Sequence, residues 1–300
     1  MLIEFNSQMQ TLHKIRSGEM QEGLTLNIPA IDDYIRYKPS NFNVILGHAN
    51  VGKTTLVLYL MLSYSQKHNK RWLVYSAENE PYGIIRKLIE FMSGKTIFQI
   101  SDEELKICSE YVNAHFKFVS NDNMYTYSEL IKLAKAIKAA WDYHGLLIDP
   151  YNALIKDNNL LKSLGGHEYD YQACTEIRMF CKEHQVTTWL NTHANTTALR
   201  LLHRIDHEYS GYPIPPMASD VEGGGKFVNR ADDFWVLHRY TQHPSEWMYS
   251  HLHVRKVKEI ETGGRPTMLD NPIKFRAVVN NVGFTCEGVN ILDNIALDKS

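Results

Sequence analysis

The stretch Gly47-His48-Ala49-Asn50-Val51-Gly52-Lys53-Thr54-Thr55 comes directly after the apolar run 43–46, and it narrows the possible folds more than any other feature of the chain. It fits the pattern G-x-x-x-x-G-K-[ST], in which the glycines allow a tight turn whose backbone N–H groups converge on an anion. Such a turn needs a strand ending near Gly47 and a helix starting near Lys53, so that the positive end of the helix faces the same anion. Residues 47–55 are therefore expected to hold the phosphates of a nucleotide. Lys53 would reach the β- and γ-phosphates, and the Thr54 hydroxyl would join a Mg²⁺ shell.

The rest of the pattern suits that loop. Strand-like runs at 43–46, 71–76, 115–120, 146–149 and 186–191 alternate with helix-like runs at 53–66, 82–93 and 168–184. A further helix with Leu130, Leu133, Ala134, Ile137 and Trp141 on one face is expected to be capped by Ser128 and ended by Gly145. This order predicts a mostly parallel sheet with helices on both faces. Beyond residue 230, strands at 233–239, 250–257, 273–279 and 283–288, with turns at 262–264 and 280–283, are expected to extend the sheet antiparallel. The chain shows no linker, which predicts one domain over residues 23–300 and an N-terminal segment over 1–22. In that segment Met9, Leu12 and Ile15 share a helical face, which either packs on its own domain or docks on a neighbouring subunit.

Bulk properties exclude several classes. A net charge of -2 over 300 residues rules out a polycation, so any nucleic-acid contact must come from a local basic patch. The four cysteines, Cys108, Cys174, Cys181 and Cys286, form no C-x-x-C pair and are expected as buried free thiols. No histidine–cysteine cluster has zinc-finger spacing. The longest apolar run, 56–64, falls far short of the ~20 residues that span a bilayer, and no targeting segment is recognisable. The expected setting is the cytoplasm, without membrane contact.

Two acidic residues complete the expected chemistry. Asp149 ends the apolar run 146–149, where a carboxylate would emerge beside the phosphate loop and hold Mg²⁺ together with Thr54. Glu78 lies just past the strand at 71–76 and would orient the attacking water; Glu80 reads as a solvated loop acid.

Taken together, these stretches resemble the RecA-like ATPase domain of the DnaB-type (superfamily 4) replicative ring helicases. The resemblance covers roughly residues 23–288 and rests on LNIPAIDDYI (26–35), the phosphate loop, YSAENEP (75–81), LLIDPYNAL (146–154), TTWLNTHANTTALR (187–200), SDVEGGGKFVNRADDFWVLHR (219–239) and HVRKVKEIETGGRP (253–266). It implies an ATP-hydrolysing helicase or translocase that uses ATP and Mg²⁺ on single-stranded DNA during replication, as a homo-oligomeric, hexameric ring. It implies Glu78 as the catalytic glutamate and His193 as the γ-phosphate sensor. Lys256 and Lys258 match the cationic finger that enters the neighbouring subunit's site, where the family carries an arginine; Arg255 or Arg265 are the substitutes. Arg200, Arg204, Gly224, Lys226 and Arg230 are the implied DNA contacts. The helical N-terminal domain and the primase module of the family are missing, which implies a minimal motor of the phage kind, with a separate primase or loader. The competing readings are a RecA-like recombinase or other DNA-directed P-loop ATPase, and a non-hydrolysing ATP-gated loader subunit.

Overall fold

Strands that are apolar from end to end must be covered on both faces, and the sheet is built accordingly. The computed structural model describes residues 4–17 and 23–292. Residues 1–3 and 18–22 of the expected N-terminal segment, and 293–300 of the expected domain, lie outside the described residues. In chain order the elements are α1 (Phe5–Ser17), the single turn α2 (Pro29–Asp32), β1 (Phe42–Gly47), α3 (Lys53–His68), β2 (Trp72–Ser76), α4 (Pro81–Ser93), α5 (Asp102–His115), β3 (Phe116–Phe118), α6 (Tyr127–Ala140), β4 (Gly145–Asp149), α7 (Asn158–His184), β5 (Thr187–His193), α8 (Lys226–Arg230), β6 (Asp233–His238), β7 (Tyr249–Val257), β8 (Ile273–Ala277), β9 (Phe284–Cys286) and β10 (Val289–Asn290).

The strands form one sheet in the order β10-β9-β8-β7-β6-β1-β5-β4-β2-β3. From β6 to β3 every pairing is parallel, and from β6 outward through β10 every pairing is antiparallel. The sheet has two cores. Along β1, Ile45 belongs to one core, with Leu56 and Leu60 of α3 and Leu88 of α4. Val44 and Leu46 belong to the other, with Leu130 of α6 and Ala173 and Ile177 of α7. The period-2 alternation of a buried strand produces this split. On the first face Trp72, Trp189 and Trp235 run across the sheet with ring centroids 5.1 and 5.6 Å apart.

Several boundaries differ from those read in the sequence, each for a physical reason. α5 is an addition to the expected elements, and Ser101 and Glu104 form a reciprocal capping box at its start. The cap of α6 is Thr126 with Glu129, not Ser128, and the helix stops at Trp141. Gly145 does not end that helix. It opens β4, where a Cβ would stand 2.2 Å from the Trp72 ring that lies across it. α7 starts ten residues earlier than expected, capped by the Asp157 carboxylate, and is interrupted at Gly165, whose φ of 77° is not helical. The antiparallel tail forms as expected, with β8 ending at Ala277 and the short β10 added.

α1 forms, but Leu12 and Ile15 are 54% and 47% exposed, so the described residues of the chain do not cover that face. All four cysteines are free and buried. No helix among the described residues is long and apolar enough to cross a membrane.

Candidate active site

β1 delivers the chain to the phosphate loop at Gly47, which pairs with His193 at the end of β5. A side chain at position 47 would place its Cβ 2.6 Å from the Leu237 carbonyl, so only glycine lets β1 turn away this close to β6. The loop then uses two left-handed residues, Asn50 (φ 62°) and Gly52 (φ 86°), and Gly52 caps α3.

Lys53, the first residue of α3, is buried. Its Nζ donates to the Gly47 and His48 carbonyls at 2.9 and 2.8 Å and stands 3.3 Å from His193 Nδ1. Burial lowers its pKa to about 8, against the opposing pull of Asp149 and Glu78. His48 is also buried, and its Nε2 has no hydrogen-bond partner among the described residues. Burial, aided by Lys53, lowers its pKa and favours the neutral ring.

Asp149 closes β4 at 2% exposure, held by three side chains. Thr54 Oγ1 donates to Oδ2 at 2.8 Å and Ser76 Oγ to the same oxygen at 3.1 Å, while Asn191 Nδ2 donates to Oδ1 at 2.6 Å. Asn79 supports Ser76 at 3.0 Å. The Thr54 hydroxyl and the Asp149 carboxylate are hard oxygen donors meeting at one point beside the loop, a donor set that suits Mg²⁺. Among the described residues no group of three or more His, Cys, Asp or Glu side chains is arranged to hold a metal, so the rest of such a shell would fall to water and phosphate oxygens.

Glu78 lies two residues past β2 with its side chain 56% exposed, and its Oε1 is 3.3 Å from His193 Nε2. His193 thus bridges the Lys53 ammonium and the Glu78 carboxylate. The loop residues, Glu78, Asp149, His193 and Tyr240 line one cleft of about 900 Å³ at the C-terminal ends of the parallel strands, where open α/β sheets take their ligands.

The other expected site residues lie elsewhere. Lys256 pairs with Phe234 at the start of β6, the opposite end of the sheet from the phosphate loop, so it cannot serve its own chain's cleft. Its Nζ donates to the Val228 and Ala231 carbonyls at 2.7 Å each, closing the C-terminal end of α8. Lys258, 42% exposed at the same end, stands 3.4 Å from Asp232, which Arg178 also holds at 2.8 Å. Arg200 and Arg204 are exposed on the segment after β5. The expected basic loop around Lys226 is the helix α8. Lys226 is buried there and donates to the His167 carbonyl, while Arg230 lies over the Tyr171 ring. Gly224 has a φ of 92° just before that helix.

Sequence reasoning missed Asn191, Ser76, Asn152 and Glu222. Asn191 had a signal, as an amide two residues before His193 and so on the same face of a buried strand. The others show only in three dimensions.

No protein-family model matches the chain. It is 24% identical over 235 residues to the Twinkle homolog protein, chloroplastic/mitochondrial, of Arabidopsis thaliana, covering 75% of this chain and 31% of that protein. The chain therefore spans about a third of the length of that curated relative. Among solved structures it superposes on an isolated ATPase domain with a TM-score of 0.71 at 14% identity, covering 93% of this chain and 96% of the other. A DnaB-like replicative helicase, described with its interactions with primase, gives 0.70 at 14% identity over 95% of this chain and 67% of the other. The KaiC-like protein PH0186 of Pyrococcus horikoshii OT3 gives 0.52 at 14% identity, over 89% and 97%. Sheet order, cleft position and these superpositions agree: in fold, the chain is a RecA-like domain of the kind found in DnaB-type helicases.

Proposed function

We propose that the chain is the ATP-hydrolysing motor of a DnaB-like helicase, acting on single-stranded DNA as a ring of identical copies. The observation that carries this reading is the meeting of Thr54 and Asp149 at 2.8 Å beside a buried Lys53, within a RecA-like fold. When bound, Mg²⁺ would neutralise charge on the β- and γ-phosphates from its place at Thr54 and Asp149. The amides of residues 47–54 and the ammonium of Lys53 would hold the phosphates, Lys53 exchanging the Gly47 and His48 carbonyls for phosphate oxygens. Glu78 would take a proton from the attacking water, and His193 would bond the γ-phosphate and lose that bond once it is cleaved.

A cationic side chain from the next subunit would complete the site. Lys258 suits that role better than Lys256, whose ammonium is committed to the carbonyls of α8. The exposed apolar face of α1 supports residues 1–22 as a subunit-linking segment. Arg200 and Arg204 are the accessible members of the expected DNA contacts. Lys226 would act by fixing α8, and Gly224 by letting the backbone approach a phosphate. A separate primase or loader would supply what this motor domain lacks.

The test is strand separation on a forked DNA duplex with ATP and Mg²⁺. The reading expects unwinding that stops in Lys53→Ala while that variant stays folded. ATP hydrolysis without strand separation, on filaments rather than closed rings in electron micrographs, would favour a recombinase-like ATPase instead.

A further inference from the structure

Asn152 stands three residues past Asp149, in the 3-10 turn Tyr151–Ala153. Its side chain faces two elements at once. Oδ1 accepts from the His193 backbone N–H at 2.8 Å and from the Thr192 hydroxyl at 2.9 Å. Nδ2 donates to Glu222 Oε2 at 3.0 Å. The contact is reinforced by the backbone. The Glu222 N–H donates to the His193 carbonyl at 3.1 Å, the Asn195 N–H to the Asp220 carbonyl at 2.8 Å, and Ala194 bridges Val221. The tip of β5 and segment 220–222 are therefore tied together, with Asn152 bonded to both.

The backbone just beyond segment 220–222 is built to move. Gly223 and Gly224 have φ of 102° and 92°, and Gly225 caps α8. Such backbone lets a short segment swing without side-chain clashes. Behind it, Asp170 Oδ2 lies 3.0 Å from where a Cβ on Gly223 would be, and Tyr151, next to Asn152, donates to Asp170 Oδ1 at 2.9 Å.

We propose that Asn152 is a positioning residue that transmits the state of the γ-phosphate, read at His193, to the glycine segment 223–225 and α8. The proposal rests on the nucleotide reading for what His193 senses; the route onward rests on the bonds that Asn152 makes. An amide is required because the two ends face opposite chemistry. Two donors, an N–H and an O–H, demand an acceptor on one side, and a carboxylate demands a donor on the other. When the imidazole gains or loses its phosphate partner, the β5 tip shifts, and the amide carries that shift to Glu222. Coupling of this kind needs an element with two arrangements that both ends bias, and the paired glycines supply it.

The experiment is amide hydrogen exchange over residues 219–230, with a non-hydrolysable ATP analogue and Mg²⁺ compared with ADP and Mg²⁺. Wild type is expected to exchange differently in the two states. In Asn152→Asp the acceptor survives but a carboxylate faces Glu222, so the nucleotide-dependent difference should fall by about fivefold or more. Glu222→Gln should keep it, since the new carbonyl accepts as the carboxylate did. The double variant Asn152→Asp/Glu222→Gln should recover it, because the new amide donates to the new carboxylate; a residue that only supports the fold gains nothing from that exchange. Glu222→Ala, at an exposed position, removes the loop arm alone and should behave as Asn152→Asp even if the latter folds poorly. An unchanged difference in both Asn152→Asp and Glu222→Ala, no recovery in the double variant, or no nucleotide-dependent exchange in wild type would each overturn the proposal. DNA-stimulated turnover, measured on the same samples, keeps the two readings apart. Unstimulated wild type with an intact exchange pattern would overturn the helicase reading and leave the Asn152 link supported.

Discussion

The Thr54 hydroxyl and the Asp149 carboxylate, 95 residues apart in sequence, meet at 2.8 Å where the first turn of α3 passes the end of β4. Removing the charge at that point tests the role of both. Asp149→Asn should lower Mg²⁺-dependent ATP turnover on the order of 10²-fold or more, as loss of a transition-state charge partner does elsewhere. Binding of ATP without metal should change far less. Phosphate-release kinetics across a Mg²⁺ titration check this.

Asn191 is fully buried and gives Asp149 Oδ1 its donor at 2.6 Å. Asn191→Ala leaves that oxygen without it and should cost about 1–3 kcal/mol of stability. Urea unfolding measures the loss, and the Mg²⁺ dependence of turnover should shift to higher metal concentration in the same variant.

Lys53 titrates at about 8 in the nucleotide-free protein, below its ordinary value of 10.5, because burial disfavours the charged form. The unfolded chain therefore binds the proton more tightly than the folded one. Its contribution to stability is present above pH 10.5 and is lost as pH falls through about 8. A triphosphate reverses the preference by favouring the ammonium. Nucleotide binding above pH 8 should therefore take up a proton, and affinity should fall by up to about tenfold per pH unit until the bound group also loses its proton. Calorimetry in buffers of different ionisation enthalpy reads the proton directly, and Lys53→Met should abolish the uptake.

Lys256 and Lys258 are two residues apart yet should respond differently. Lys256→Met strips the C-terminal end of α8 of its donor and should lower stability by about 1–2 kcal/mol in thermal or urea unfolding. Lys258→Met should leave stability nearly unchanged, since its ammonium is 42% exposed, and should reduce DNA-stimulated turnover in the assembled protein.

The positions of the central groups were legible because a parallel α/β sheet gathers them at strand ends. Gly47, Glu78, Asp149 and His193 each end or follow an apolar run in the sequence, and the fold places those ends along one edge. Surface charge was less informative. Lys226 and Arg230 read as basic side chains beside a glycine loop, but the sequence does not display the His167 carbonyl or the Tyr171 ring that engage them. Gly145 reads as a helix stop because glycine commonly is one, and only the fold shows Trp72 lying across it. Asn152 and Glu222 carry no signal at all, since their meaning depends on a contact spanning 70 positions.

The central claim is that this cleft binds and cleaves ATP in work on DNA, and it is tested most directly by the rate of phosphate release from ATP and Mg²⁺, with and without single-stranded DNA, at low salt. Turnover should rise on adding DNA, decline with salt, and be lost in a folded Lys53→Ala protein. Equal turnover in wild type and Lys53→Ala, or no turnover by well-folded wild type in either condition, would contradict it.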